Sequence, residues 1–389
     1  MLNDGIYFGM PEDDYHKIDR LSKTGIKRLR VSPADYWKTS PLNPRQEDLT
    51  PDQERRRNLA RVLGRAYHTA RLEPHKFESR FVRKPSQTDY TDQEGFLHTV
   101  TMIDEQLVAL GQPKTNKADG GALGKALRLR GAGYKGPIWH IIEDEFKASA
   151  GERGIVPADA YDQILIDMQR IRKMPDIDKI LSGGEAEITL LCTCPDTGIP
   201  MKSRIDYLKV EEWAEFKTFD NPNGKNLIQA INDAIRFNGY FIDAVCYHQA
   251  IEILRSGALD IIGEATNEQV DLITNIIERG APLACQFVYQ QKNDVPNILA
   301  REFELFQFSE AQRAQHAGAS PDAVNRVENG QRTKTAIHQK GRMEIAAAKR
   351  DYLAYSEIYG EGEEWLPVYP LGKTTDADFP PFWLEQEIR

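Results

Sequence analysis

Asp206, followed nine positions later by Glu215-Phe216-Lys217, places two carboxylates and a lysine at a spacing that suits phosphate chemistry. Paired carboxylates hold a hard divalent cation such as Mg2+ or Mn2+ and leave coordination positions for water and phosphate oxygens. Such an ion lowers the pKa of its bound water and steadies charge building on the phosphate, while a lysine can orient the nucleophile and offset developing negative charge. An acid, then Glu-x-Lys, is the arrangement of metal-dependent nucleases. Taken by itself, the same spacing also describes an exposed strand carrying ion pairs.

The elements that must position these groups are strands. Pro195-Asp196-Thr197-Gly198 is turn chemistry, because Gly accepts positive φ and Asp bonds its own backbone. Leu190 to Cys194 is therefore expected to pair with Met201 to Tyr207, and a second turn near Val210 to Glu212 to lead into a strand from Trp213 to Thr218. Side chains alternate along a strand, so Glu215 and Lys217 share one face, and Ala214 and Phe216 point into a packed side. This puts the acids and the lysine at the edge of a buried hairpin. A polar loop then precedes one long helix from about Leu227 to Leu254, with further strands at Ala284 to Gln290 and Arg301 to Phe308. Strand, crossover helix and strand in that order predict an α/β fold with a mixed central sheet flanked by helices.

Upstream, Ser22 is placed to cap a helix whose first turns carry Lys23, Lys27 and Arg28, a setting that suits a phosphate or an ordinary capped surface helix equally. A short helix from Ser32-Pro33 and a loop over residues 40 to 53 follow. A basic helix then runs from about Gln53 to Leu72, with Leu59, Val62, Leu63, Ala66, Tyr67 and Ala70 at helical period and Arg55, Arg56, Arg57, Arg61, Arg65 and Arg71 mainly on the opposite side. His68 lies one step from the apolar stripe, in a place for a structural histidine or a metal ligand. Residues 84–136 read as an insertion. Tyr161, Ile164, Leu165, Met168 and Ile171 mark a core helix, and residues 311–334 lack periodicity. A helix near Lys334 to Tyr359 is expected to bury Met343, Ala346, Ala347, Leu353 and Ile358, and residues 360–389, rich in proline and aromatics, to pack as an extended tail.

The 389 residues are 40% hydrophobic, enough for a core, and read as a single decorated domain. No run approaches the roughly 18 apolar residues a membrane helix needs, and the acidic start lacks a signal-peptide core, so a soluble cytoplasmic protein with no membrane contact is expected. Cys192, Cys194, Cys246 and Cys285 fit neither a disulfide framework nor a zinc pattern and read as buried free thiols. A net charge of −9 argues against a protein that coats nucleic acid, and requires any phosphate-binding charge to be local.

Several stretches, taken in order, resemble the exodeoxyribonuclease VIII (RecE) family of phage and prophage exonucleases, within the PD-(D/E)XK superfamily that includes the phage lambda exonuclease and the RecB nuclease domain. They are Asp14-Tyr15-His16, Leu21-Ser22-Lys23, Leu63-Gly64-Arg65-Ala66-Tyr67-His68 with Leu72-Glu73-Pro74, Pro195 to Gly198, Arg204-Ile205-Asp206, Glu215-Phe216-Lys217, and the helix with Tyr240 and Tyr247. The resemblance implies that His68, Asp206 and Glu215 bind Mg2+, with Mn2+ able to substitute, that Glu187 has a weaker claim on the metal, and that Lys217 is catalytic. It matches Ser22 and its neighbours, Lys23 among them, to a helix start that receives a DNA 5′ phosphate, leaves the arginine partner open between Arg28 and Arg65, and adds Tyr247 to the expected DNA contacts. Glu215 stands where the close family has Asp, and Asp243 where a Gln-x-x-x-Tyr motif would have Gln. The function implied is a 5′ to 3′ double-stranded DNA exonuclease of a bacterial host's phage-type recombination system, a homo-oligomeric ring acting on duplex ends beside a single-strand annealing protein. An endonuclease, a single-strand nuclease and a noncatalytic DNA-binding protein of the same fold are the competing expectations.

Overall fold

The computed structural model describes residues 2–41, 43, 50–292, 297–307, 333–360 and 363–366. In chain order its strands are β1 (Gly5–Tyr7), β2 (Phe81–Arg83), β3 (Gly154–Val156), β4 (Glu185–Thr193), β5 (Pro200–Leu208), β6 (Glu212–Phe219), β7 (Ala284–Gln291), β8 (Ile298–Glu302), β9 (Phe306–Gln307) and β10 (Thr333–Lys334). The α-helices are α1 (Glu12–Lys17), α2 (Lys23–Val31), α3 (Pro33–Thr39), α4 (Pro51–Leu72), α5 (Phe77–Arg80), α6 (Val100–Ala109), α7 (Ala122–Gly131), α8 (Trp139–Ala150), α9 (Ala158–Arg172), α10 (Pro175–Ile180), α11 (Leu227–Phe237), α12 (Tyr240–Arg255), α13 (Asn267–Arg279) and α14 (Ala336–Tyr359).

The turn at Pro195 to Gly198 closes as its residues dictate. Gly198 takes φ of 69° and its N–H bonds the Cys194 carbonyl at 2.8 Å, so β4 and β5 pair with Cys192 opposite Met201. The main sheet runs β1-β4-β5-β6-β7-β8, every pair antiparallel except β6 with β7. A parallel pair needs a crossover, supplied here by α11, α12 and α13. The fold is thus the mixed α/β sheet flanked by helices.

Both sheet faces are covered. Trp213, Phe287 and Tyr289 join Ile188, Leu190 and Ile205 in a large core that includes residues of α2, α3, α11, α12, α13 and α14. Tyr207, Ala214, Phe216 and Val288 meet Leu72, Ile171, Ile177 and Leu181 from α4, α9 and α10. Burying a side chain such as Phe216 or Phe287 contributes about 1.5–3 kcal/mol, which anchors the central strands wherever the site needs them.

Four expectations change. The helix expected from Leu227 to Leu254 is two helices, because Gly239 takes φ of 63° and the chain breaks at Asn238, whose carbonyl accepts a bond from Lys27. The strand expected at Arg301 to Phe308 begins at Ile298 as β8, in register with β7, and Phe306–Gln307 belongs to a separate two-stranded pair. Helix α14 exposes Met343, Ala346, Leu353 and Ile358 and buries Ile345, Ala348 and Lys349. It packs on its small side: a Cβ added at Gly341 would lie 2.6 Å from Val245 Cγ2. Arg71 is the one arginine of α4 that turns fully inward, as described below.

Residues between β2 and β3, a parallel pair, carry α6, α7 and α8 around a separate cluster of Leu97, Ile103, Leu107, Ala126, Leu129, Ile138 and Ile141. The 84–136 span covers the first part of this excursion. Of the 311–334 segment only Thr333 and Lys334, and of the tail only Gly360 and residues 363–366, lie within the described residues. There Trp365 is fully buried, stacked against Trp37 and Tyr355. All four cysteines are buried and free, and no described helix is long and apolar enough to cross a membrane.

Candidate active site

The site begins where the sheet splits. Strands β5 and β6 pair only at Tyr207 with Ala214 and Leu208 with Trp213. At the next step the Asp206 carboxylate takes the place of a strand carbonyl and accepts the Phe216 N–H at 2.8 Å. Strand β6 meanwhile keeps its full register with β7, so the gap opens on one side of Glu215 only. Glu187 of β4 lies opposite Asp206, between the pairs Ala186–Tyr207 and Ile188–Ile205. It is the one described non-glycine residue with positive φ, at 57°. Its left-handed backbone resets the alternation of both strands: Ala186 and Tyr207 pack in the α4 side core, whereas Ile188 and Ile205 pack in the other. A non-glycine residue held there costs on the order of 1–3 kcal/mol, strain that surrounding structure must fix.

Three groups meet in this split. His68 from α4, Glu187 and Asp206 each offer a ligand atom, all within 4.8 Å of one another. His68 Nδ1 lies 3.5 Å from Glu187 Oε1, and its ring stands edge-on to Phe216 at 5.9 Å. Burial lowers the pKa of His68, but the charges of Asp206 and Glu187 outweigh it and leave it raised. Burial works the other way on Glu187, yet His68 and Arg204 hold its pKa below the ordinary value. Helix α4 is fastened behind His68 by Arg71, whose guanidinium reaches Gln290 at 2.6 Å and Asp167 at 3.3 Å, both buried. Asp167 lies on the helix read from sequence as core without chemistry, and its charge is what draws Arg71 inward.

Glu215 lies beside this trio rather than within it and is 1% exposed, in the sheet interior instead of at the edge of a hairpin. Its Oε1 contacts Lys217 and, at 2.5 Å, Lys23, while its Oε2 has no hydrogen-bond partner among the described residues. Lys217 also reaches Asp243 at 3.4 Å, and Lys27 reaches the same carboxylate at 2.8 Å. Lys23 and Lys27 are one helical turn apart and so present their amines on one face of α2. Ser22 caps that helix by accepting the Gly25 N–H at 3.2 Å. Burial and the Asp206 charge raise the pKa of Glu215 despite its lysines. Burial also opposes the charge of Asp243, but Lys23, Lys217 and Lys27 bring its pKa below the ordinary value. Asp243 is thus balanced by three cations.

The residues expected to touch DNA divide. Lys23 and Ser22 stand at the site, and Arg28 is half-buried on the same helix. Arg65 is taken up by Glu12 at 2.6 Å and by Asp13. Tyr247 is 2% exposed, with its hydroxyl on Lys23 and its ring edge-on to Trp213. Tyr247 thus shapes the site from within, and Arg65, half-buried, is spent on two carboxylates. Arg204, which grips Glu187 and bonds the Met10 carbonyl at 2.9 Å, enters the sequence reading only as a neighbour of Asp206, and Lys27 only as part of a basic helix start.

The donor set fits a divalent cation. One nitrogen and two carboxylates gather within a single ion's reach, and Glu215 Oε2 is a buried acceptor left without a donor.

No model of a known protein family and no curated protein matches the chain. Among solved structures it is similar to a presumed exonuclease from Eubacterium rectale, at 15% identity over 67% of this chain and 92% of that one, with a TM-score of 0.27.

Proposed function

We propose that the chain is a divalent-metal-dependent deoxyribonuclease of PD-(D/E)XK type, and that it works as a 5′ to 3′ exonuclease on double-stranded DNA. The observation that carries this is the convergence of His68, Glu187 and Asp206, from a helix and two strands, at a sheet split flanked by Glu215 and Lys217. In this reading His68, Glu187 and Asp206 hold the cation, with Glu215 completing the set. An imidazole among the donors favours Mn2+ over Mg2+, which prefers oxygen alone. Bound there, the cation would lower the pKa of a water and supply a counter-charge to the phosphate. Lys217, kept protonated between Glu215 and Asp243, holds a proton beside the scissile phosphate and offsets its developing charge. Lys23 does the same from α2. Phe216, through its backbone N–H, fixes the carboxylate of Asp206. Assembly into a ring around duplex DNA, a single-strand annealing partner and a place in phage-type recombination belong to the same proposal.

The test is digestion of linear duplexes labelled at the 5′ or 3′ end, with Mn2+ or Mg2+, beside covalently closed circles and the Lys217→Ala variant. Release from 5′ ends by wild type alone, with circles intact, is the expected result. Cut circles would reassign the chain as an endonuclease, and equal inertness of wild type and variant would end the nuclease reading.

A further inference from the structure

Helix α4 reaches well past the body of the protein. Every residue from Pro51 to Arg61 is exposed, and inward packing begins only at Val62. Isolated helices shorter than about 12 residues are marginal in water, so this half is held by its continuity with the packed half and by its cap. Thr50 and Gln53 form that cap, each bonding the other's backbone N–H.

The arginines of this helix differ in direction and in partners. At about 100° per residue, Arg61 and Arg57 lie within roughly 20° of the direction of His68, and about 10 and 16 Å from it along the axis. Arg56 points about 120° away by the same count. Arg55 is bonded to Asp52, Arg65 to Glu12 and Asp13, and Arg71 is buried with Asp167. Arg57 and Arg61 have no ion-pair partner among the described residues. Glu54 closes the row at its outer end, near the positive end of the helix. One helix therefore carries a metal-ligating histidine and, in line with it, two unneutralised guanidinium groups running outward.

The geometry points to a DNA track: Arg57 and Arg61 bind successive backbone phosphates of the duplex that leads away from the cleaved end. This rests on the nuclease reading and adds to it a route for the uncleaved duplex. Charge decides the occupant. With a net charge of −9, the protein repels a polyanion overall, and a free basic row aligned with the metal ligands is where attraction can be local. A second copy of the chain fits poorly, since the exposed half offers only Leu59 and Ala60 as apolar side chains beyond Pro51.

The test is fluorescence anisotropy with a short fluorescein-labelled duplex, in Ca2+ to support binding, across roughly 50 to 200 mM salt. Each phosphate contact contributes about 0.9 to the slope of log affinity against log salt, so Arg57→Gln/Arg61→Gln should lower that slope by about 1.8. Its affinity deficit should be about 12-fold larger at the low end of this range than at the high end. Arg56→Gln should keep the wild-type slope, and Arg57→Lys/Arg61→Lys should largely restore it. A wild-type slope in the glutamine variant, with unchanged melting, would overturn the track. So would a shift in its sedimentation without a slope change, which would make the arm a contact between copies. Failure of the nuclease reading is separate: wild type would bind with the full slope yet leave the duplex uncut in Mn2+.

Discussion

Removing Lys27 tests how the site tolerates an acid at Asp243. The Lys27 amine lies 2.8 Å from one Asp243 oxygen and Lys217 3.4 Å from the other. At an effective dielectric near 20 these attractions are worth about 6 and about 5 kcal/mol before desolvation is charged against them. Asp243 is 1% exposed, so Lys27→Met strands a buried carboxylate on fewer cations, a change that costs about 3–5 kcal/mol for a buried pair. The partial exposure of Lys27 places the expectation near about 3 kcal/mol. With unfolding entropy of about 2.1 cal/mol/K per residue, 389 residues give about 0.8 kcal/mol/K, so the melting temperature should fall by about 4 °C. Asp243→Asn removes the stranded charge, and the double variant should melt within about 1–2 °C of Asp243→Asn alone. The proposed cleavage of duplex DNA should follow the same pattern, since without Lys27 the amine of Lys217 is drawn from Glu215 toward Asp243. Thermal melts of all four proteins at neutral pH give the cycle. Additive losses, with the double variant lower than either single one by the sum, would refute the balance described.

Asp206→Asn keeps an oxygen for the Phe216 N–H and should melt near wild type without metal while losing Mn2+ binding by calorimetry. Asp206→Ala should lose both, with about 1–3 kcal/mol of stability for the orphaned N–H. Gly341→Ala drives a methyl against Val245 and the Phe241 carbonyl, so α14 must move from α12, at an expected cost of about 1–3 kcal/mol in denaturant unfolding. Glu73, nearly buried and bonded by Lys76 and by Arg80 at 2.5 Å, titrates below its ordinary value of 4.5 because these bonds outweigh burial. Its contribution is fully present above that value and fades as pH falls through the lowered one, so Glu73→Gln should destabilise at pH near 7 and match wild type in strong acid, read by melts across pH.

The hairpin, the strand of Glu215 and the cap at Ser22 were legible because each rests on neighbours in sequence: a turn tetrapeptide, an alternation, a hydroxyl before a helix. The break at Gly239 was masked by apolar residues that keep helical period on both sides, and only the backbone at 239 gives it away. Helix α14 misled because Met343, Leu353 and Ile358 are not among the side chains it buries. A glycine and an alanine let it approach α12, and no hydrophobic count favours them. Within the site, His68 and Asp206 come together with Glu187, the acid given the weaker claim, whereas Glu215, expected beside them, stands apart. Its withdrawal is set by Lys23, 192 residues away along the chain, and such a pairing leaves no local mark. Arg65 and Arg71 read alike from periodicity, but Glu12 and Asp167 bind one at the surface and the other inside.

The bond from Phe216 to Asp206 also provides a native spectroscopic probe. A strand amide normally answers to a carbonyl, whose charge never changes. This one answers to a carboxylate at the heart of the proposed metal site, so the amide resonance and hydrogen-exchange rate of residue 216 should register a cation that Asp206 takes up. The occupancy of the centre could then be followed without substrate and without any introduced label beyond isotopes.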